Sequence, residues 1–132
     1  MPRNLSSAYL RVAERALTAA DTTAIPVAKK AGFLAYHSFE CTGGAFCVAK
    51  GVKYPTSHAA KLRLFVSACK RERFALTAAR LAIELVSLRN SLLYPSAQNG
   101  SITLPEDKIT SSQVTRLIGR IRTLKRRVEL EI

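Results

Sequence analysis

Apolar residues recur every three or four positions through almost the whole of this chain, and no segment alternates with period two. That spacing predicts helices and little else. Leu5, Ala8, Tyr9, Val12 and Ala16 predict a first helix from about Leu5 to Ala20, with Asn4 as its N-cap and Asp21-Thr22-Thr23 as its break. A second and longest helix is expected from Ala24 or Pro26 to Lys50. Pro26 suits a first turn, where a missing N–H costs nothing. Its apolar positions, Ala28, Gly32, Ala35, Phe39, Thr42, Phe46 and Ala49, form a narrow stripe of small residues that lets another helix approach closely. Gly51 is a natural stop, and Tyr54-Pro55 prevents continuation.

Thr56 or Ser57 is expected to cap a third helix reaching about Lys70, with Ala59, Leu62, Phe65 or Val66, and Cys69 on its apolar side. A fourth should run from about Glu72 to Tyr94 on Phe74, Ala78, Leu81, Leu85, Leu88 and Leu92, until Pro95 stops it. The segment Ala97 to Ser101, with Asn99-Gly100 inside it, reads as a turn or mobile loop. Thr110 or Ser111 should cap a last helix lined by Val114, Leu117, Ile118, Ile121, Leu124 and Val128. The expectation is a single all-α domain over residues 1–132, an antiparallel bundle of four to five helices.

The charge balance narrows the partners. The 132 residues carry 21 Lys+Arg against 9 Asp+Glu, a formal +12. A field of that sign attracts polyanions, so a nucleic acid or an acidic partner protein is expected. Two basic clusters stand out. Lys61, Arg63, Lys70, Arg71 and Arg73 span the third helix and the following turn, and Arg116, Arg120, Arg122, Lys125, Arg126 and Arg127 lie along the last. Either is read as a phosphate-tracking surface. Aromatic residues are sparse and do not interleave with these clusters, so base stacking and sequence preference should be weak. The longest weakly charged run, Ala31 to Ala49, contains His37 and Glu40 and reads as a buried helix, so no membrane association is expected. Met1-Pro2-Arg3-Asn4 leads directly into the amphipathic pattern, without the apolar region of a signal peptide. Cys41, Cys47 and Cys69 are odd in number and lack C-x-x-C spacing. They are expected as small buried hydrophobes in a reducing, cytoplasmic compartment. No metal site and no cofactor is expected, because His37 and His58 complete no ligand spacing.

The end of the fourth helix, Ser87-Leu88-Arg89-Asn90-Ser91-Leu92-Leu93-Tyr94-Pro95, sets polar groups into a packing segment. Asn90 and Tyr94 lie four apart on one face, and Arg89 is long enough to reach them. On the second helix, Glu40 sits among small and apolar residues and needs a partner, a basic group such as Arg89. His37 is expected to be partly buried and hydrogen-bonded, and His58 to lie at the surface. Gly43-Gly44 costs about 1 kcal/mol per glycine in a helix. Close packing can offset that cost at a dimer seam or within the bundle.

Ala35-Tyr36-His37-Ser38-Phe39-Glu40, the break Lys50 to His58, and Leu88 to Pro95 together resemble HEPN-domain proteins, in the right order over the central half of the chain. The resemblance implies a helical bundle that dimerises, and RNA as the partner. It also implies a role in prokaryotic defence or toxin–antitoxin systems, where many such domains are metal-independent endoribonucleases. Their motif is an Arg, a polar residue and a His four to six positions on. Arg89 and Asn90 match it, but Tyr94 stands where the histidine belongs, and Gly44 replaces a basic residue common one turn after the acid. An unperturbed tyrosine, ionising near ~10, is a poor base at neutral pH. The resemblance therefore implies either an active nuclease with catalytic Arg89, Asn90, Tyr94 and His37, or a degenerate one that binds without cutting. A cognate nucleotidyltransferase antitoxin is a further implied partner, with Tyr94 as its target. A non-catalytic basic helical subunit of a CRISPR-type ribonucleoprotein complex and a protein-interaction module are the other readings.

Overall fold

The computed structural model describes residues 2–22, 28–93, 96–103 and 109–132. Five helices, α1 (Pro2–Thr22), α2 (Ala28–Ala49), α3 (His58–Ala68), α4 (Ala75–Leu93) and α5 (Ser111–Glu131), are joined by short connections, with one small hairpin, β1 (Ser96–Gln98) and β2 (Ser101–Thr103), between the last two.

Helix α2 is the axis. From Ser38 to Cys47 every one of its residues is buried, whichever way it points. The narrow stripe expected from sequence is therefore too modest: α1, α3, α4 and α5 all pack on α2. Over that stretch the helix is surrounded on every side and has no polar face to keep. Helix α1 lies closest, because both helices offer small residues, Ala13, Ala16 and Ala20 against Ala31, Ala35 and Ala45. Two hydroxyls fix the pair. Ser6 donates to the Ala45 carbonyl and Ser38 to the Ala13 carbonyl, each at 2.8 Å, and these crossings run antiparallel. The glycines serve the same end. A Cβ on Gly43 would lie 2.8 Å from Phe65 Cγ, and one on Gly44 would lie 2.8 Å from the Tyr9 ring. Their cost is thus offset within the bundle.

Phe39, Phe46, Phe65 and Phe74 build the centre, with ring centroids 5.6–6.0 Å apart and mostly edge-on. Leu81 and Leu85 of α4 and Ile121, Leu124 and Val128 of α5 close the core. All three cysteines are free and buried, as small hydrophobes are.

The helix ends follow local chemistry. Gly51 holds φ +77° while its N–H donates to the Val48 carbonyl and that of Val52 to the Cys47 carbonyl, a Schellman stop at the expected residue. Ser57, one of the two expected caps, accepts from the Ala60 N–H at 3.2 Å. Thr110 caps α5 and exchanges hydrogen bonds with Gln113 in a capping box. Asn4 caps nothing; it lies inside α1, which begins at Pro2. The segment read as a turn or loop is a hairpin. Asn99 (φ 52°) and Gly100 (φ 79°) form its two-residue turn, with Gln98 opposite Ser101. Both central residues at positive φ suit the right-handed twist of the flanking strands, and Asn-Gly is the pair that adopts this with least strain.

Candidate functional site

Three elements bring polar side chains together on one side of α2. Glu40 comes from its middle, His58 opens α3, and Arg89 stands near the end of α4. The Glu40 carboxylate is buried, with 4% side-chain exposure, while the His58 ring is 52% exposed. Both carboxylate oxygens converge on His58 Nδ1, at 2.5 and 2.9 Å. The partner of Glu40 is therefore His58, and not Arg89 as the sequence suggested. Arg89 instead lies over the Tyr36 ring, its Cζ 5.7 Å from the centroid. His58 lies edge-on to the same ring at 6.0 Å. A guanidinium and an imidazole thus both lie against the Tyr36 ring. Burial, reinforced by the Glu40 charge and opposed by Arg89, pushes the Tyr36 phenol up to about 12.

The loop after α2 fixes the backbone at Glu40. Tyr54 donates its phenolic proton to the Glu40 backbone carbonyl at 2.7 Å, and burial raises its pKa strongly. Lys61, one turn into α3, places its ammonium 5.8 Å from the Tyr54 centroid. The reason for this assembly is local. Gly51 turns the chain back sharply, and Ser57 starts α3 so that its first helical residue faces Glu40. A proton-transfer group that is exposed but oriented, beside a cation, can serve phosphoryl chemistry.

The remaining expected residues divide. His37 is exposed, not partly buried; its Nε2 lies 3.8 Å from Cys41 Sγ. Asn90 is exposed beside Arg89. Tyr94 lies outside the described residues. Arg63, Arg71 and Arg73 are exposed around α3, as are Arg116, Arg126 and Arg127 on α5. Lys125 does not belong to an open surface. It is 8% exposed and bonded to Glu14 on α1 and to Glu129 on its own helix. Arg120 pairs with Glu84 of α4 at 2.5 Å, and Arg122 is half-buried and engaged. Helix α3 packs on α2 and α4, and α5 mainly on α2, so the two basic clusters occupy separate parts of the surface. Among the described residues no helix is long and apolar enough to cross a membrane, and no three His, Cys, Asp or Glu side chains gather as a metal site would require.

Sequence reasoning weighed both His37 and His58 as substitutes for the missing motif histidine, preferred His37 and gave Glu40 the wrong partner. The signal was present: a buried acid 18 positions before a histidine that follows a Ser cap. Nothing in a linear pattern pairs them. No family model matches the chain, and no curated protein or solved structure matches it either.

Proposed function

We propose that this protein is an HEPN-like RNA-binding domain of a prokaryotic defence or toxin–antitoxin system, and that it cleaves RNA by side-chain acid–base chemistry. The observation that carries the reading is the exposed His58 imidazole, held by the buried Glu40 carboxylate and lying against the same tyrosine ring as Arg89. A histidine arriving from α3 answers the lack of one on α4. Arg89 binds a phosphate and stabilises its developing charge. His58 moves the proton. Lys61 and the exposed arginines around α3 extend the cationic surface beside the site.

A homodimer and a nucleotidyltransferase antitoxin remain the partners such a domain would have. The exposed face of α4, where Leu76, Ile83 and Val86 are 62%, 73% and 40% exposed, offers a second copy an apolar stripe at helical spacing.

The test is incubation of the purified protein with labelled single-stranded RNA in chelator, beside Arg89→Ala and His58→Ala. Cleavage lost in both variants is the expected result. Binding without cleavage, weakened broadly by salt, makes the domain a non-catalytic subunit of a ribonucleoprotein complex. Neither binding nor cleavage sinks the RNA reading altogether and favours a protein partner.

A further inference from the structure

Helices α4 and α5 each pack on α2 and make little direct contact with one another. A cleft of about 500 Å³ lies between them, lined by residues of both helices and by Ile109. None of Tyr36, Glu40, His58 and Arg89 lines it. Leu88 does, whereas the next residue, Arg89, lies over the Tyr36 ring, so the cleft and the histidine site flank different sides of α4.

The lining has two characters. Ile109 and Leu117 are buried and Leu88 is half-buried, and these three give an apolar wall. Arg116 and Arg120 of α5 and Glu84 of α4 bring charge. The two arginines are one helical turn apart, a spacing at which like charges repel. Glu84 neutralises one of them, its carboxylate meeting Arg120 at 2.5 Å. Arg116 is exposed, and among the described residues no carboxylate pairs with it. Two cations against one anion leave the cleft a single positive charge, at Arg116. Neutral donors stand beside it. The Gln113 amide oxygen accepts from the Thr110 N–H at 2.8 Å, which leaves its NH2 group over, and Ser87 brings a hydroxyl from the α4 side.

We propose that the cleft between α4 and α5 is a binding site for a small organic acid, a single carboxylate on a compact apolar body. The carboxylate pairs with Arg116, whose planar fork matches it in shape and in charge. The body lies against Leu88, Ile109 and Leu117. The charge count sets the class of anion. A phosphate monoester carries about −1.5 to −2 at neutral pH and calls for a second free cation, which Glu84 has already neutralised. A bare small anion leaves the apolar wall uncovered. A wholly apolar molecule desolvates Arg116 and Ser87 without giving them a partner. The volume is that of an ordinary small-molecule site. This site stands apart from RNA cleavage at His58, and neither depends on the other.

Titration of isotope-labelled protein with 3-phenylpropionate and hexanoate, followed by NMR, tests it. The neutral 3-phenylpropanamide, acetate and inorganic phosphate serve as comparisons. At least one of the two acids should move the amide signals from Ile83 to Leu88 and from Gln113 to Arg120 and reach saturation. The neutral amide and acetate should each bind about 10-fold more weakly or worse, the first lacking the charge and the second the body. Arg116→Ala should weaken the acid about 10-fold and leave the neutral amide unchanged. Ser87→Phe, at an exposed position of α4, should fill the cleft and block the acid, and circular dichroism checks that both variants keep the fold. Saturable binding of neither acid overturns the proposal. So does acetate or phosphate binding as well as the acids, which reduces the cleft to a surface arginine, or an acid that ignores Arg116→Ala. Signals moving around His58 and Arg89 instead would assign the acid to the other site and overturn it too. If a short RNA strand moves the cleft signals and the acids do not, the cleft belongs to a nucleic-acid surface and the proposal is wrong.

Discussion

Two glycines of this chain respond to the same substitution with opposite signs. A methyl group on Gly43 meets the Phe65 ring at 2.8 Å, and that ring is fully buried between Phe39 and Phe46. Gly43→Ala should destabilise the protein by about 1–3 kcal/mol through overpacking, despite the better helix propensity of alanine. Gly119, exposed on α5 with nothing near its missing Cβ, should gain about 1 kcal/mol on the same change. Thermal unfolding of the two variants, with midpoints moving apart, checks both. The thiols make a second residue-scale prediction. Burial pushes Cys41 and Cys69 up to about 11 and Cys47 to about 12. In the unfolded chain they ionise near ~8.5. Above that pH the unfolded state has lost protons that the folded state retains, so rising pH favours unfolding. Stability should be complete below about pH 8 and fall between about pH 9 and 12. Tyr36 adds to the fall at its upper end. Denaturant midpoints at pH 7, 9 and 10.5 measure it, and a flat profile would contradict the burial of these groups.

Among the elements, α3 links folding and site. Ser57 caps the helix whose first residue is His58, so the cap and the site share one turn. Ser57→Ala should cost about 1 kcal/mol. It should also loosen His58 from Glu40, seen as a change in the His58 ring signals by NMR. Thr110→Ala removes half of a capping box on α5, far along the chain, and should cost a similar amount without disturbing those signals. The hairpin is the element sequence reading missed. Its alternation is too short to register, two strands of three residues, and Ser101, Ile102 and Thr103 are all exposed. Asn99-Gly100 announced it, since that pair turns a hairpin with little strain.

For the whole molecule, a charge of +12 says that polyanions are attracted but not where they bind. Lys61 and Lys125 separate the two questions. Lys61 stands beside the site, whereas Lys125 is enclosed between Glu14 and Glu129. Lys61→Ala should weaken RNA binding and flatten its salt dependence by about 0.7 in log–log slope, one phosphate contact on a single strand. Lys125→Ala should leave binding unchanged and lower stability, because two carboxylates lose a buried partner. Equal effects on binding would mean that RNA follows net charge rather than this site. If α4 joins two copies, Ile83→Asp should convert the dimer to a monomer by sedimentation.

Legible in the linear pattern were the helical segments, the Gly51 stop, the burial of the cysteines and the caps of α3 and α5 to within one residue, Thr56 or Ser57 and Thr110 or Ser111, of which the fold uses Ser57 and Thr110. These depend on periodicity and on groups within a few residues of one another, which a linear pattern records. It also singled out Arg89 and His37. It took the packed helices to show that α2 is enclosed from Ser38 to Cys47, that Lys125 is withdrawn from the basic surface and that Glu40 holds His58. Each of those depends on which helices meet and at what rotation, and that is set by the fit of Ala, Gly and Phe surfaces summed over the whole core. Glu40 and His58 meet where Gly43 lets Phe65 of α3, and Gly44 lets Tyr54 of the preceding loop, come close to α2.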